Sequence, residues 1–165
     1  MSPSGTSTDK TDEAFLEELV TLCDEVITQG FPELTTTTIY LDLKDDDDGS
    51  IQVEAYEDGD YLITFRRLFK QAPPTVLHGG LAHEMSHIVR DTRRRKKRPS
   101  SEQLFLQRYD HDLAYTKRYE RRIDREALRR GFGKEIYAIN HYLQTLGIPQ
   151  QGISIQELEH YKPAA

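Results

Sequence analysis

In the segment LAHEMSHIV, His83, Glu84 and His87 have types and a spacing that could do chemistry. On a helix, four residues are about 400° of turn and about 6 Å of rise, so the two imidazoles project from one face. Two imidazoles so placed can hold one Zn²⁺ at ~2.0–2.1 Å each. Glu84 is rotated about 100° from His83, which lets its carboxylate reach a water held at the metal without ligating the ion itself. Its role there is general base toward that water and then proton carrier to a leaving amine. The bland alternative is a helix with two surface histidines and a neighbouring glutamate.

A catalytic zinc needs a third protein ligand and one open position. Downstream candidates are Asp110, His111, Asp112, Glu120, Asp124, Glu126, His141 and His160. Helical phase separates them. In RYERRIDREALRRG the apolar Ile123, Ala127 and Leu128 define an inward stripe, and Glu120 lies on that side. The arginines cover the outer surface, with Glu126 among them. An inward carboxylate is costly unless something neutralises it, and a metal ion would. Asp124, one turn later, could accept a hydrogen bond from the free ring nitrogen of a liganding histidine. The competing reading of Glu120 and Asp124 is ion pairing to arginines of the same helix, and His111 and Asp124 stay open as ligands. His111, His141 or one of Tyr109, Tyr115 and Tyr119 could stabilise an oxyanion.

The elements that must position these groups can be read from periodicity. Phe15, Leu19, Leu22, Cys23 and Val26 recur at helical spacing from about Asp12, and Gly30 and Pro32 end that helix. The period then becomes two over Ile39–Leu43, Ile51–Ala55 and Tyr61–Phe65, with DDDDGS and EDGD as joints, which predicts a three-stranded meander. Asp45–Asp48 fails the Ca²⁺-loop pattern at two positions and reads as a turn. After Pro73-Pro74 the stripe Leu77, Leu81, Met85 and Ile88 predicts the motif helix, ending near Val89 or Arg90. Gly79-Gly80 inside it costs on the order of 1 kcal/mol per glycine, which fits a close approach by another backbone or a substrate. DTRRRKKRPS reads as a basic loop. A helix capped by Ser100 and Gln103 follows, interrupted near Asp110–Asp112 and ending at Gly131; Gly133–Leu146 is another, and Ser154 with Glu157 caps a last turn. Helix, three strands, then helices predicts an α+β domain over residues 12–147, between a disordered tail (1–11) and a C-terminal tail (148–165).

The combination of His83-Glu84-x-x-His87 with Glu120-x-x-x-Asp124 and the following Arg125-Glu126-Ala127 resembles the gluzincins, zinc peptidases whose third ligand is a glutamate on a separate helix. Over residues 12–146 the likeness is greatest to the minigluzincins, small archaeal domains of this type. It extends to the core of the heat-shock membrane metallopeptidases, without their membrane spans. The resemblance implies a zincin-like fold with an N-terminal helix, a small three-stranded sheet, an active-site helix, a glutamate helix and C-terminal helices. It implies Zn²⁺ bound by His83, His87 and Glu120, Glu84 as catalytic base, Asp124 supporting the ligand shell, and a peptide or protein substrate. It also implies that the strand Tyr61, Leu62, Ile63, Thr64, Phe65 is an edge that pairs with the substrate, and that residues 148–165 could lie in the cleft of a latent form. The RRRKKR stretch between the motif helices departs from the family pattern.

Composition narrows the rivals. A single cysteine, Cys23, excludes an internal disulfide and a cysteine-rich metal cluster. No apolar run reaches the ~18 residues of a membrane span, and the first ten residues lack a signal-peptide plan, so a soluble cytoplasmic protein is expected. The net charge of −6 hides an asymmetry, because residues 1–60 carry 17 acids against Lys10 and Lys44. Residues 90–130 carry 15 basic residues against seven acids. Arg93–Arg98 could therefore contact nucleic acid, but neutralisation within the domain is the simpler expectation. The alternatives to a peptidase are a non-catalytic zinc or scaffold domain and a nucleic-acid-associated protease.

Overall fold

The computed structural model describes residues 9–45 and 50–164. Helix α1 (Asp12–Gly30) begins where Thr11 can cap it, its Oγ1 accepting the Ala14 N–H at 3.1 Å. Asp12 and Glu13 complement the positive end of the helix. Its buried stripe is the predicted one, Phe15, Leu19, Leu22, Cys23 and Val26. Burial pushes the Cys23 thiol up to about 11, so this cysteine is packing material rather than a nucleophile.

Strands β1 (Ile39–Lys44), β2 (Gln52–Ala55) and β3 (Tyr61–Arg66) form one mixed sheet in the order β1-β3-β2. The EDGD joint does reverse the chain: Gly59 has φ 90° and the Tyr56 N–H donates to the Asp60 carbonyl at 2.9 Å. The meander fails at the other joint. β1 runs parallel to β3, with Ile39 opposite Tyr61, so β1 and β2 are not paired and DDDDGS is no tight hairpin. The reading of Asp45–Asp48 falls largely on residues 46–49, outside the described residues. β3 is also the central strand, which corrects the expectation that Tyr61–Phe65 is an edge. The cause is burial on both faces: Tyr61, Ile63 and Phe65 point into the core from one, Thr64 and Arg66 are buried on the other, and a strand so covered is stable only between neighbours. The edges are β1 and β2.

Helix α2 (Pro74–Lys97) carries the motif and is longer than the sequence suggested. The RRRKKR stretch is its last turns rather than a loop. Asp91 pairs with Arg94 and Arg95 one turn on, and Glu102 reaches back to the same two arginines, so the like charges are neutralised where the helix would otherwise fray. The helix stops at Arg98, the residue before Pro99. After a 3₁₀ turn (Pro99–Ser101) come α3 (Glu102–His111), α4 (Leu113–Arg129) and α5 (Gly133–Thr145). No side chain caps α3, so the Ser100–Gln103 signal is unused. The predicted interruption lies at Asp112, whose side chain accepts the Tyr115 N–H and starts α4. The Ser154–Glu157 box forms, with the Glu157 N–H donating to Ser154 Oγ at 3.3 Å.

Five helices and a small mixed sheet make the described residues an α+β fold. Leu77, Leu81, Met85 and Ile88 of α2 are fully buried against α1, β3 and α5. Gly79 explains itself here: a Cβ on it would lie 2.1 Å from the Glu135 carbonyl oxygen, so it is the absence of a side chain that lets the α5 backbone dock. No helix among the described residues is long and apolar enough to cross a membrane.

Candidate metal site

One face of α2 presents His83 and His87, one turn apart, with ring centroids 5.0 Å from each other. Helix α4 crosses that face and directs Glu120 and Asp124 inward between them and the core; both carboxylates are buried. Glu120 Oε2 lies 3.0 Å from His83 Nε2 and 3.4 Å from His87 Nε2. The three ligand atoms all fall within 4.8 Å of one another, so His83, His87 and Glu120 could hold a metal ion. In a tetrahedral site with ~2.0–2.1 Å bonds, neighbouring ligand atoms are about 3.3 Å apart, and the two separations to the carboxylate match that edge.

Asp124 fixes the orientation of the first imidazole. His83 Nδ1–H donates to Asp124 Oδ1 at 2.8 Å, which leaves Nε2 as the atom that faces Glu120 and His87. The other oxygen, Oδ2, accepts the Ile153 N–H at 2.8 Å. Glu120 is held in the same manner: Oε2 faces the histidines while Oε1 accepts the Tyr109 hydroxyl at 2.6 Å. Every oxygen of the two buried carboxylates thus has a partner, as burial of charge demands.

The electrostatics follow from this packing. Burial alone would raise the Glu120 carboxyl, but hydrogen bonds and charge from His83 and His87 outweigh it and hold the group far below the usual carboxylate range. Burial works against the charged form of His83, yet Asp124 and Glu120 raise it well above an ordinary imidazole. Glu84 behaves in the opposite sense to Glu120: it is 4% exposed, and burial raises its pKa against the lowering influence of the two histidines. It is therefore a stronger proton acceptor than a surface glutamate, beside the ligand pair and on the wall of the same cleft. Burial, then the Glu120 charge, raises the Tyr109 hydroxyl, so it stays a donor.

The cleft is about 640 Å³. Its walls are β2 with the residues just before it, the motif face of α2, Phe105, Leu106 and Tyr109 of α3, the inner face of α4, Ile139 and Leu143 of α5, and residues 148–152. β2, an edge strand, borders it; β3 contributes only Tyr61, whose hydroxyl donates to Asp91 at 2.8 Å.

Other candidates stand apart. His111 and His141 are exposed, the latter stacked on Tyr137, and neither belongs to the cluster; His160 sits in the last 3₁₀ turn. Asp110 is exposed and Asp112 is a helix cap. Glu126 is not on the outer surface with the arginines but buried, because Arg93 pairs with it at 2.8 Å and Arg130 with it at 3.5 Å. Arg93, Arg94 and Arg95 all have acidic partners in this chain, while Lys96, Lys97 and Arg98 are exposed. Among the tyrosines weighed for an oxyanion, Tyr109 is the one whose hydroxyl reaches the ligand cluster. The contact missing from the sequence reading is Gly152-Ile153 on Asp124; nothing in the polar run PQQG marks it. Comparison with protein-family models, with curated proteins and with solved structures finds no match for this chain.

Proposed function

We propose that this chain is a zinc-dependent metallopeptidase of gluzincin type, with a zincin-like fold, that hydrolyses peptide bonds in peptide or protein substrates. The observation that carries the reading is the convergence of His83 Nε2, His87 Nε2 and Glu120 Oε2 within 4.8 Å, next to a buried Glu84 in an open cleft. Two imidazoles and one carboxylate are a zinc donor set, and three protein ligands leave a position for chemistry. A bound Zn²⁺ supplies Lewis acidity, polarising a carbonyl and making water more acidic.

The remaining steps belong to the chain. Glu84 takes the proton of the attacking water on its carboxylate and delivers it to the leaving amine nitrogen. Asp124 keeps His83 in the tautomer whose Nε2 lone pair is free for the metal. Tyr109 gives its one hydroxyl proton to Glu120 Oε1 and so helps hold that carboxylate toward the two histidines. An extended substrate pairs with the free edge of β2 rather than with β3, because β2 is the strand that both borders the cleft and lacks a second neighbour.

The deciding experiment is zinc content and peptidase activity of Glu84→Gln beside the native protein. Zinc retained at one equivalent with hydrolysis down by roughly 10²–10⁴-fold is the expected result. Zinc retained with no hydrolysis in the native protein, across a broad peptide library, would leave a metal-binding scaffold instead.

A further inference from the structure

The segment after α5 behaves as part of the metal site. Residues 148–152 line the cleft, and the chain then turns inward, so that Ile153 (6% exposed) and Leu158 (0%) join the hydrophobic core. Three further contacts hold it. The Asn140 side chain donates to the Ile153 carbonyl at 3.2 Å. Arg121, on α4 one turn before Asp124, grips Glu157 with two hydrogen bonds of 2.8 and 2.7 Å. Gly133, at the start of α5, leaves the space that the Tyr161 ring fills.

Where this segment meets α4 the fit is tight. A Cβ on Gly152 would lie 2.0 Å from Asp124 Oδ2, so only glycine lets the backbone come down on that carboxylate. The next residue supplies the Ile153 N–H to the same oxygen. Asp124 is 2% exposed. Without that donor, one oxygen of a buried carboxylate would be unpaired, and the carboxylate would rotate away from His83 to satisfy it.

We infer that residues 148–158 are a strap that sets the metal site, with Gly152 and Ile153 as positioning residues that act on His83 through Asp124. The inference rests on His83 being a metal ligand. It opposes the alternative in which this segment is a removable cover over the cleft: loosening a cover would release activity and leave metal affinity intact, whereas loosening the strap lowers metal affinity. Linkage adds a second consequence, because whatever factor the strap contributes to metal affinity, bound metal must return to the stability of the strap.

The test uses the full-length chain and zinc alone. Zinc affinity is measured by competition with a chromophoric chelator for the native protein, Gly152→Ala and Gly133→Ala. Loss of a partner behind a ligand costs roughly 10- to 100-fold in metal affinity, and that is expected for Gly152→Ala. Gly133→Ala displaces Tyr161 in the same segment but touches nothing near Asp124, and should stay within about threefold of native by the same reasoning. Amide exchange of Ile153 in the native protein, with and without zinc, gives the reciprocal readout and needs no variant to fold. It should slow by roughly the same 10- to 100-fold when zinc is added. Equal affinity in native and Gly152→Ala proteins, equal losses in the two glycine variants, or Ile153 exchange indifferent to zinc would overturn the strap. A native protein that binds no zinc would instead remove the metal-site reading itself.

Discussion

The two glutamates at the site show how one residue type is driven to opposite ends of its range. Glu120 accepts from two imidazoles and a phenol and is held ionised, whereas Glu84 is buried next to the same histidines and is made more basic. A ligand must stay charged and a general base must want a proton, so each environment suits the role proposed for its residue. The pH dependence follows with a definite sign. In metal-free protein burial raises the Glu84 carboxyl, so it should titrate above the usual carboxylate range near 4.5, and bound zinc should bring it down again. A carboxyl NMR titration of chelator-treated protein, with Glu84→Gln to assign the signal, measures this; a midpoint at or below 4.5 would contradict the buried placement of Glu84. Tyr109→Phe removes the donor to Glu120 Oε1 without changing shape much. It should weaken zinc binding by roughly tenfold, the lower end for a lost partner behind a ligand, while the far-ultraviolet circular dichroism is unchanged.

At the scale of elements, two adjacent glycines separate packing from access. Gly79→Ala aims a methyl at the Glu135 backbone carbonyl, 2.1 Å away, and a helix backbone cannot step aside cheaply. Overpacking of this kind costs about 1–3 kcal/mol, more than the helix-propensity gain of about 1 kcal/mol offsets, so the variant should unfold at lower denaturant. Gly80→Ala crowds the tip of Ile51, 2.5 Å away on a flexible side chain, and meets the Phe65 ring at ordinary contact distance, so propensity and crowding should nearly cancel. Chemical denaturation of the two variants checks the contrast. These elements also mark the limits of sequence reading. α1 and α2 were legible because each buries one stripe at a 3.6-residue period, and the motif could be placed on a helix for the same reason. The parallel pairing of β1 with β3 was not, because alternation tells which residues face inward and nothing about which strand lies alongside. The length of α2 was hidden by RRRKKR, whose charges look loop-like until Asp91 and Glu102 are found between them. The strap was hidden more deeply. Gly152 and Ile153 act through one backbone N–H and one missing Cβ, neither of which leaves a periodic mark.

For the whole molecule, the site links stability to pH and metal together. His83 gains partners on folding and its pKa is raised, so its contribution is complete below its unfolded value of about 6.5 and is lost as pH rises through the folded value. Glu120 is depressed, so its contribution is complete above about 4.5 and is lost as pH falls toward the folded value. In chelator-treated protein both are present in full only between about pH 4.5 and 6.5, and stability from this cluster should decline from pH 6.5 to 8.5. Zinc has the opposite slope, since it takes the neutral imidazole and competes with the very protons that His83 otherwise holds. Added zinc should therefore raise the melting temperature more at pH 8 than at pH 6. The increment is limited by RT ln(1 + [Zn]/Kd), about 2.7 kcal/mol at a hundredfold excess over Kd. Thermal melts across pH 5–8.5, with chelator and with zinc, measure both slopes at once. If the melting temperature with chelator rises through this range, or if zinc stabilises pH 6 as much as pH 8, then His83 is not held between Asp124 and Glu120 in the folded chain, and the ion pairs drawn around it do not carry the charge assigned to them here.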